Sequence, residues 1–234
     1  MHITDHDLRA RFPESFGYLA SVRKRAVRLT PKGEGASLEI GASRLGGAPD
    51  LPATVSWPTS GDRPLPFVAQ IRLEEIAEWD EDALLPHEGW LLFFVDGARR
   101  VARVVHVPPT DGLKRVRPPV EEIASAGRAV ELSPIDLFPV PPTPFVDVDA
   151  IHRTERAGYE RLLAEIRREV PDGKDHHLLG YPRRGDVEGM DGDTRLLAQF
   201  DADASLGLSW KEPILLLAQD PDLRRGDVER VRVG

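Results

Sequence analysis

Arg44-Leu45-Gly46-Gly47-Ala48-Pro49, Phe67-Val68-Ala69-Gln70-Ile71, Gly89-Trp90-Leu91-Leu92-Phe93-Phe94-Val95-Asp96 and Val101-Ala102-Arg103-Val104 follow one another within residues 44–107. Leu178-Leu179-Gly180-Tyr181-Pro182, Leu196-Leu197-Ala198-Gln199-Phe200, Ile214-Leu215-Leu216-Leu217-Ala218-Gln219-Asp220 and Val228-Glu229-Arg230-Val231 repeat the four landmarks, in the same order, within residues 177–233. Gly47 answers to Gly180, Gln70 to Gln199 and Asp96 to Asp220. The offset shrinks along that series, so each step requires a change of loop length. Ordinary hairpins also give two apolar runs about a turn. The collinear order is what points to internal duplication. The expected fold is therefore α+β, with antiparallel β-sheets from two pseudo-repeated β units and flanking helices. Residues 1–234 are expected to form a single compact domain, its units (44–107 and 177–233) joined by a proline-rich segment, 108–150, and a helix over 152–170.

The remaining elements follow from local pattern. Thr4 with Asp7 three residues on reads as a helix N-cap, starting a short helix that Pro13 ends. A second helical stretch is expected over Glu14–Lys24, then a strand over Ala26–Leu29. Phe67–Leu73 alternates, which predicts Phe67, Ala69, Ile71 and Leu73 on one face and Val68, Gln70 and Arg72 on the other. Leu73–Trp79 suits a short helix. Gly89–Asp96 and Val101–Val107, separated by a short Gly-containing connection, read as a hairpin. Nine of the 21 prolines fall within 108–144. That stretch is therefore the linker and not a central strand throughout, with a strand at Ala129–Leu132 interrupting it. Tyr159, Leu162, Leu163, Ile166 and Val170 share one face of the last helix.

Bulk composition narrows function. Apolar residues make up 41% of the chain, enough for a sizeable core. The longest apolar runs fall far short of the ~20 residues that span a bilayer. The formal charge of −8 argues against general nucleic-acid binding. The Arg- and Lys-rich stretch 99–117 is a local exception, read either as a basic patch or as a solvated strand edge. The absence of cysteine excludes disulfides and thiolate chemistry and fits a reducing cytoplasm. Met1–Asp7 has no apolar segment of the kind a secretory signal carries.

Candidate site residues come from the repeats. Gln70 and Gln199 stand at matching positions within apolar strands, and each must satisfy two amide hydrogens and a carbonyl oxygen. They line a groove between the halves, or else bond to loop backbone. Arg44 beside Gly46-Gly47 either clamps an anion or pins its own loop. Trp57 and Trp210, with Trp79 and Trp90, serve as packing or as ligand-facing aromatics. His176-His177, with Asp186, Glu188, Asp191 and Asp193 nearby, is a weak metal pattern, because neighbours in an extended chain point to opposite faces. No metal and no cofactor is therefore assigned. Gly-x-Ser-x-Gly and His-Glu-x-x-His are both missing.

Ser43–Pro52, Trp57-Pro58, Pro64–Ile71 and Gly89–Phe94, with His177–Pro182, Leu196–Asp201 and Trp210, resemble the YwqG-like bacterial family of unknown function over roughly residues 40–230. Two places depart from its pattern. Lys211-Glu212-Pro213 follows Trp210 in place of an acidic-Gly segment, and Arg183–Asp193 lacks the glutamine that relatives carry. The resemblance implies a cytosolic protein without established activity, and an interaction or immunity-like role, since some relatives are encoded near secreted-toxin systems. The expected function is a non-enzymatic cytoplasmic binding module with a protein partner. The alternative is a small-molecule-binding or hydrolytic enzyme using the groove. Ligand contacts are assigned to Arg44, Gln70, Gln199, Trp57 and Trp210.

Overall fold

Thr4 opens the chain as its sequence suggests. In this computed structural model, which describes residues 4–32, 38–121, 127–135, 146–168, 174–182 and 193–234, the Thr4 hydroxyl accepts from Asp7 N at 3.1 Å and Asp7 Oδ2 accepts from Thr4 N at 3.0 Å. That capping box starts α1, Asp5–Arg11, by satisfying donors that the first turn leaves without partners. The second helix, α2, is shorter than expected, Phe16–Ser21. Glu155 sets its start from far along the chain. Its carboxylate accepts from Glu14 N and Ser15 N at 3.0 Å each.

The main body is one ten-stranded sheet in which every pairing is antiparallel. Its strands are β1 (Ala26–Pro31), β2 (Arg44–Leu45), β6 (Phe67–Arg72), β7 (Trp90–Asp96), β8 (Val101–Val107), β10 (Arg128–Ile135), β11 (His177–Leu179), β12 (Thr194–Phe200), β13 (Ile214–Gln219) and β14 (Arg232–Val233). Two small ribbons lie beside it: β3 (Asp50–Leu51) with β9 (Lys114–Arg115), and β4 (Thr59–Ser60) with β5 (Arg63–Pro64). The order across the large sheet is β14-β13-β12-β11-β1-β10-β2-β6-β7-β8. The edge strands β8 and β14 come within 8 Å of each other, Cα to Cα, so the sheet curls into a nearly closed barrel.

Fully buried Val27, Leu29, Ile71, Leu91, Phe93, Leu178, Leu197, Phe200 and Leu216 fill the interior. Phe93 and Phe200 meet edge to face there, 5.4 Å between centroids, an arrangement that sets the positive edge of one ring on the negative face of the other. Outside, α1, α2 and α3 (Arg156–Arg168) bury Leu8, Phe12, Leu19, Tyr159, Leu162, Leu163 and Ile166 with Ala26 of β1. Val170 and the Pro171–Gly173 stop expected for that helix lie outside the described residues. A separate outer cluster holds Leu51, Leu65, Phe67, Trp90, Leu92, Phe94 and Val107.

Three details depart from simple pattern. The alternation expected for Phe67–Leu73 breaks at Val68, where the β6–β7 register shifts between Phe67 and Ala69. Val68 and Ala69 both enter the interior cluster, while Phe67 turns out to the other face with Phe94. A bulge places one extra residue on one strand, so the parity of every residue before it flips. The same shift occurs in β12 between Leu196 and Ala198. The expected helix over Leu73–Trp79 is instead two 3₁₀ turns, Leu73–Glu75 and Ala77–Trp79. Within the proline-rich segment, β10 is a central strand paired to β1 and β2. Arg128–Ser133 contains no proline, and Pro134 falls near the strand's end, so the ladder loses no donor over most of its length.

Candidate functional site

Pairing of β2 with β6 sets Arg44 opposite Gln70, and pairing of β11 with β12 sets His177 opposite Gln199. Both short strands end in two consecutive residues of positive φ: Gly46 (65°) and Gly47 (77°) in the first, Leu179 (58°) and Gly180 (72°) in the second. At Gly47 a side chain is also excluded by packing, since a Cβ would lie 2.8 Å from Gly127 Cα. Close backbone approach of this kind is open to glycine alone.

Arg44 is fully buried and bonds through all five N–H groups. Nε donates to Ala42 O, Nη1 to Ala48 O and Asp50 Oδ1, and Nη2 to Glu39 O and Asp50 Oδ2. Asp50, itself 0% exposed, also accepts from Gly41 N at 2.8 Å, Gln70 Nε2 at 3.2 Å and Arg115 Nε at 3.1 Å. Gln70 completes the knot. Its Oε1 accepts from Asp50 N at 2.8 Å and its Nε2 donates to Ala42 O at 3.1 Å. Burial pulls the Arg44 guanidinium down to about 10, against the pull of Asp50. It therefore stays charged at neutral pH. This network ties the 39–51 loop to β6.

The second network has the same outline with other chemistry. Gln199 Nε2 donates to Asp175 O at 3.5 Å and Asp201 Oδ1 at 3.1 Å, while Asp201 Oδ2 accepts from Asp175 N at 2.9 Å. His177 takes the place that Arg44 holds in the first network, with Nδ1 3.2 Å from Asp175 Oδ2 and Nε2 3.3 Å from Tyr181 O. Burial raises the Asp201 carboxyl, with the Asp175 charge adding to it, because both disfavour the ionised form. His176 points the other way, its ring 6.3 Å from that of Phe200. Asp186, Glu188 and Asp191 lie outside the described residues, and Asp193 is exposed. Among the described residues no three His or carboxylate side chains converge as a metal site would require.

Trp210 stands apart from both networks. A 3₁₀ turn, Ala204–Leu206, and Gly207 at φ +73° carry the chain to it. The indole lies against Gly97 in the β7–β8 turn, where a Cβ would come within 2.7 Å of Trp210 Cε3. Between the β7–β8 turn and the 206–214 loop is an open cleft of about 600 Å³. Phe67, Val95, Leu206, Leu208 and Ile214 supply its apolar wall with Trp210. Asp96 and exposed Arg100, Lys211 and Glu212 add charge. The indole N–H is turned from water and has no acceptor among the described residues. Trp57 is elsewhere, edge-on to Phe94 at 5.4 Å and donating to Leu65 O at 2.9 Å.

Of the five candidate residues, the structure brings Arg44 and Gln70 into one network, puts Gln199 in another, and leaves only Trp210 lining the cleft. Gly97 was missed. Its signal was present in Asp96-Gly97-Ala98, where it read only as a turn residue. A family model described as Domain of unknown function (DUF1963) matches residues 43–232. No curated protein matches the chain.

Proposed function

We propose that this chain, which belongs to the family described as Domain of unknown function (DUF1963), is a non-enzymatic binding protein that receives a protein partner in the cleft at Trp210. The observation that carries the reading is the cleft itself, walled by residues from both halves of the sequence around one partly exposed tryptophan. Tryptophan in an apolar pocket with a charged margin is the usual composition of a contact that holds a partner. Arg44, Gln70 and Gln199 serve it indirectly, by fixing the loops and strands on which it is built. A second reading has a small molecule bound, or hydrolysed, in the same cleft. Its support is the volume, which is of the size that ligand pockets have.

The test compares wild type with Trp210→Ala and with Gly97→Val, whose Cβ would press on the Trp210 ring and displace it. Affinity capture from the host should recover a protein with wild type that both variants lose. Native mass spectrometry of the captured material distinguishes a protein from a small molecule. Recovery of the same set with all three proteins would sink both readings.

The finer placement belongs to this proposal as well: a YwqG-like bacterial protein of the cytoplasm, folded as one domain over 1–234 and built by duplication. Duplication is supported by more than landmark order. Arg44 and Gln70 are paired across β2 and β6, and their counterparts His177 and Gln199 are paired across β11 and β12. The bulges at Phe67/Ala69 and Leu196/Ala198 share the offset of the two glutamines. The two turns of paired positive φ share the offset of Gly47 and Gly180.

A further inference from the structure

β1 ends, and β10 and β11 begin, at one end of the barrel. Leu29 N donates to His176 O at 2.8 Å and Lys32 N to Ala129 O at 2.8 Å, so three chain segments converge there. Between them and the turn after β12 is an open pocket of about 400 Å³. Among the described residues four cations line it, Arg28, Lys32, Arg128 and Lys174, against one carboxylate, Asp203. That is a local positive field in a chain whose formal charge is −8.

The carboxylate is already engaged. Asp203 Oδ1 accepts from Ser205 N at 2.9 Å, Ser205 Oγ at 2.7 Å and Lys174 Nζ at 3.0 Å. It therefore holds Lys174 in place. His176 reaches the pocket with its side chain 1% exposed. Its Nε2 is 3.7 Å from Asp203 Oδ2, too long for a hydrogen bond. Neither ring nitrogen makes a hydrogen bond to a described residue, Asp203 being its nearest charged neighbour. Burial lowers the basicity of the ring, which leaves a neutral imidazole with an N–H to offer. Arg28 Nη2 is likewise buried and without a partner among the described residues. Buried donors without acceptors are costly, and an anion in the pocket supplies acceptors to both at once.

The matching end of the other half is not built this way. In the frame that aligns Gly180 with Gly47, the counterpart of His176 is Ser43, whose hydroxyl accepts from Arg72 N at 2.9 Å and donates to Glu75 at 2.6 Å. The cationic pocket is thus no requirement of the barrel.

We propose that this pocket is a binding site for a small phosphorylated molecule, the phosphate held by Arg28, Arg128 and His176 and steered by Lys32 and Lys174. A phosphate offers several acceptor oxygens and about two charges, which suits several donors converging from separate segments. The volume leaves room for the body of the molecule beside the phosphate. The site is distinct from the cleft at Trp210 and does not depend on it.

Isothermal titration of the full chain with inorganic pyrophosphate tests the assignment, with citrate as a carboxylate of comparable charge. Saturable pyrophosphate binding is expected, with citrate weaker by roughly tenfold or more. Arg28→Ala and His176→Gln should each weaken pyrophosphate roughly tenfold or more, the loss of one charge-assisted hydrogen bond. Lys32→Ala, at an exposed position, should weaken it severalfold even if His176→Gln impairs folding. Lys114→Ala removes a cation elsewhere and should change nothing. Absence of saturable binding, equal affinity for citrate, or equal losses in Lys114→Ala and Arg28→Ala each overturn the assignment.

Discussion

Arg44 directs every N–H it has to oxygens of its own chain, and that sets how it answers to substitution. Replacing it with methionine leaves Asp50 fully buried with only Arg115 as an ionic partner. Removing one member of a buried pair costs about 3–5 kcal/mol, because the other charge remains desolvated. Arg115, whose side chain is 34% exposed, makes its bond to the same carboxylate at the surface. Such pairs contribute about 0–1 kcal/mol. Urea denaturation should therefore show Arg44→Met destabilised by at least about 2 kcal/mol more than Arg115→Met. Equal losses would mean that Asp50 is held by the backbone donor Gly41 and by Gln70, not by the ion pair. The need for this network was legible in Gln70, since an amide inside an apolar strand has to find partners. The identity of the partner was not. Asp50 lies 20 residues away in a stretch that read as loop, and only the turn at Gly46-Gly47 folds it back over β6.

At the scale of elements, the strands that read well are those with long unbroken apolar runs, β7 and β13 among them. What could not be read is where a strand changes parity. A bulge adds one residue without any obligatory residue type, so Phe67-Val68-Ala69 and Leu196-Leu197-Ala198 look like uninterrupted alternation or an apolar run. β10 was legible only as a fragment, because prolines on both sides of 128–133 masked a strand that ends up at the centre of the sheet. The turn after β11 allows a direct test of how tightly these short strands are tied in. Gly180 has φ +72° and a Cβ there would lie 2.6 Å from Ala26 Cβ of β1. Gly180→Ala combines left-handed strain of roughly 1–2 kcal/mol with overpacking of about 1–3 kcal/mol. Gly61, at φ +59° between β4 and β5, has open space around it, so Gly61→Ala carries the strain alone. Thermal melts should place Gly180→Ala clearly below Gly61→Ala. Coincident melts would show that β1 moves aside freely and that the β1–β11 contact is loose.

The whole molecule is joined by two strands that pair with segments distant in the chain. β1 pairs with β10 and β11, and β10 pairs with β1 and β2. The order β11-β1-β10-β2 thus sets β1 and β10, far apart in the chain, side by side between β11 and β2. The family match begins at residue 43 and leaves β1 outside, yet Val27 and Leu29 of β1 are 0% and 1% exposed in the interior. Burying two such side chains contributes about 3–6 kcal/mol before any entropic cost, a large share of the roughly 5–15 kcal/mol by which domains are stable. A chain cut after Arg117 leaves β1 in a fragment that holds none of its partners, and β10 in a fragment that lacks both of its own. Neither fragment, expressed alone, should show a cooperative thermal transition by circular dichroism, and equimolar mixing should restore one near that of the intact chain. A fragment that melts cooperatively by itself at the temperature of the full protein would place the stability within that fragment, and the pairings of β1 and β10 would then be an ornament of the fold, not what closes it.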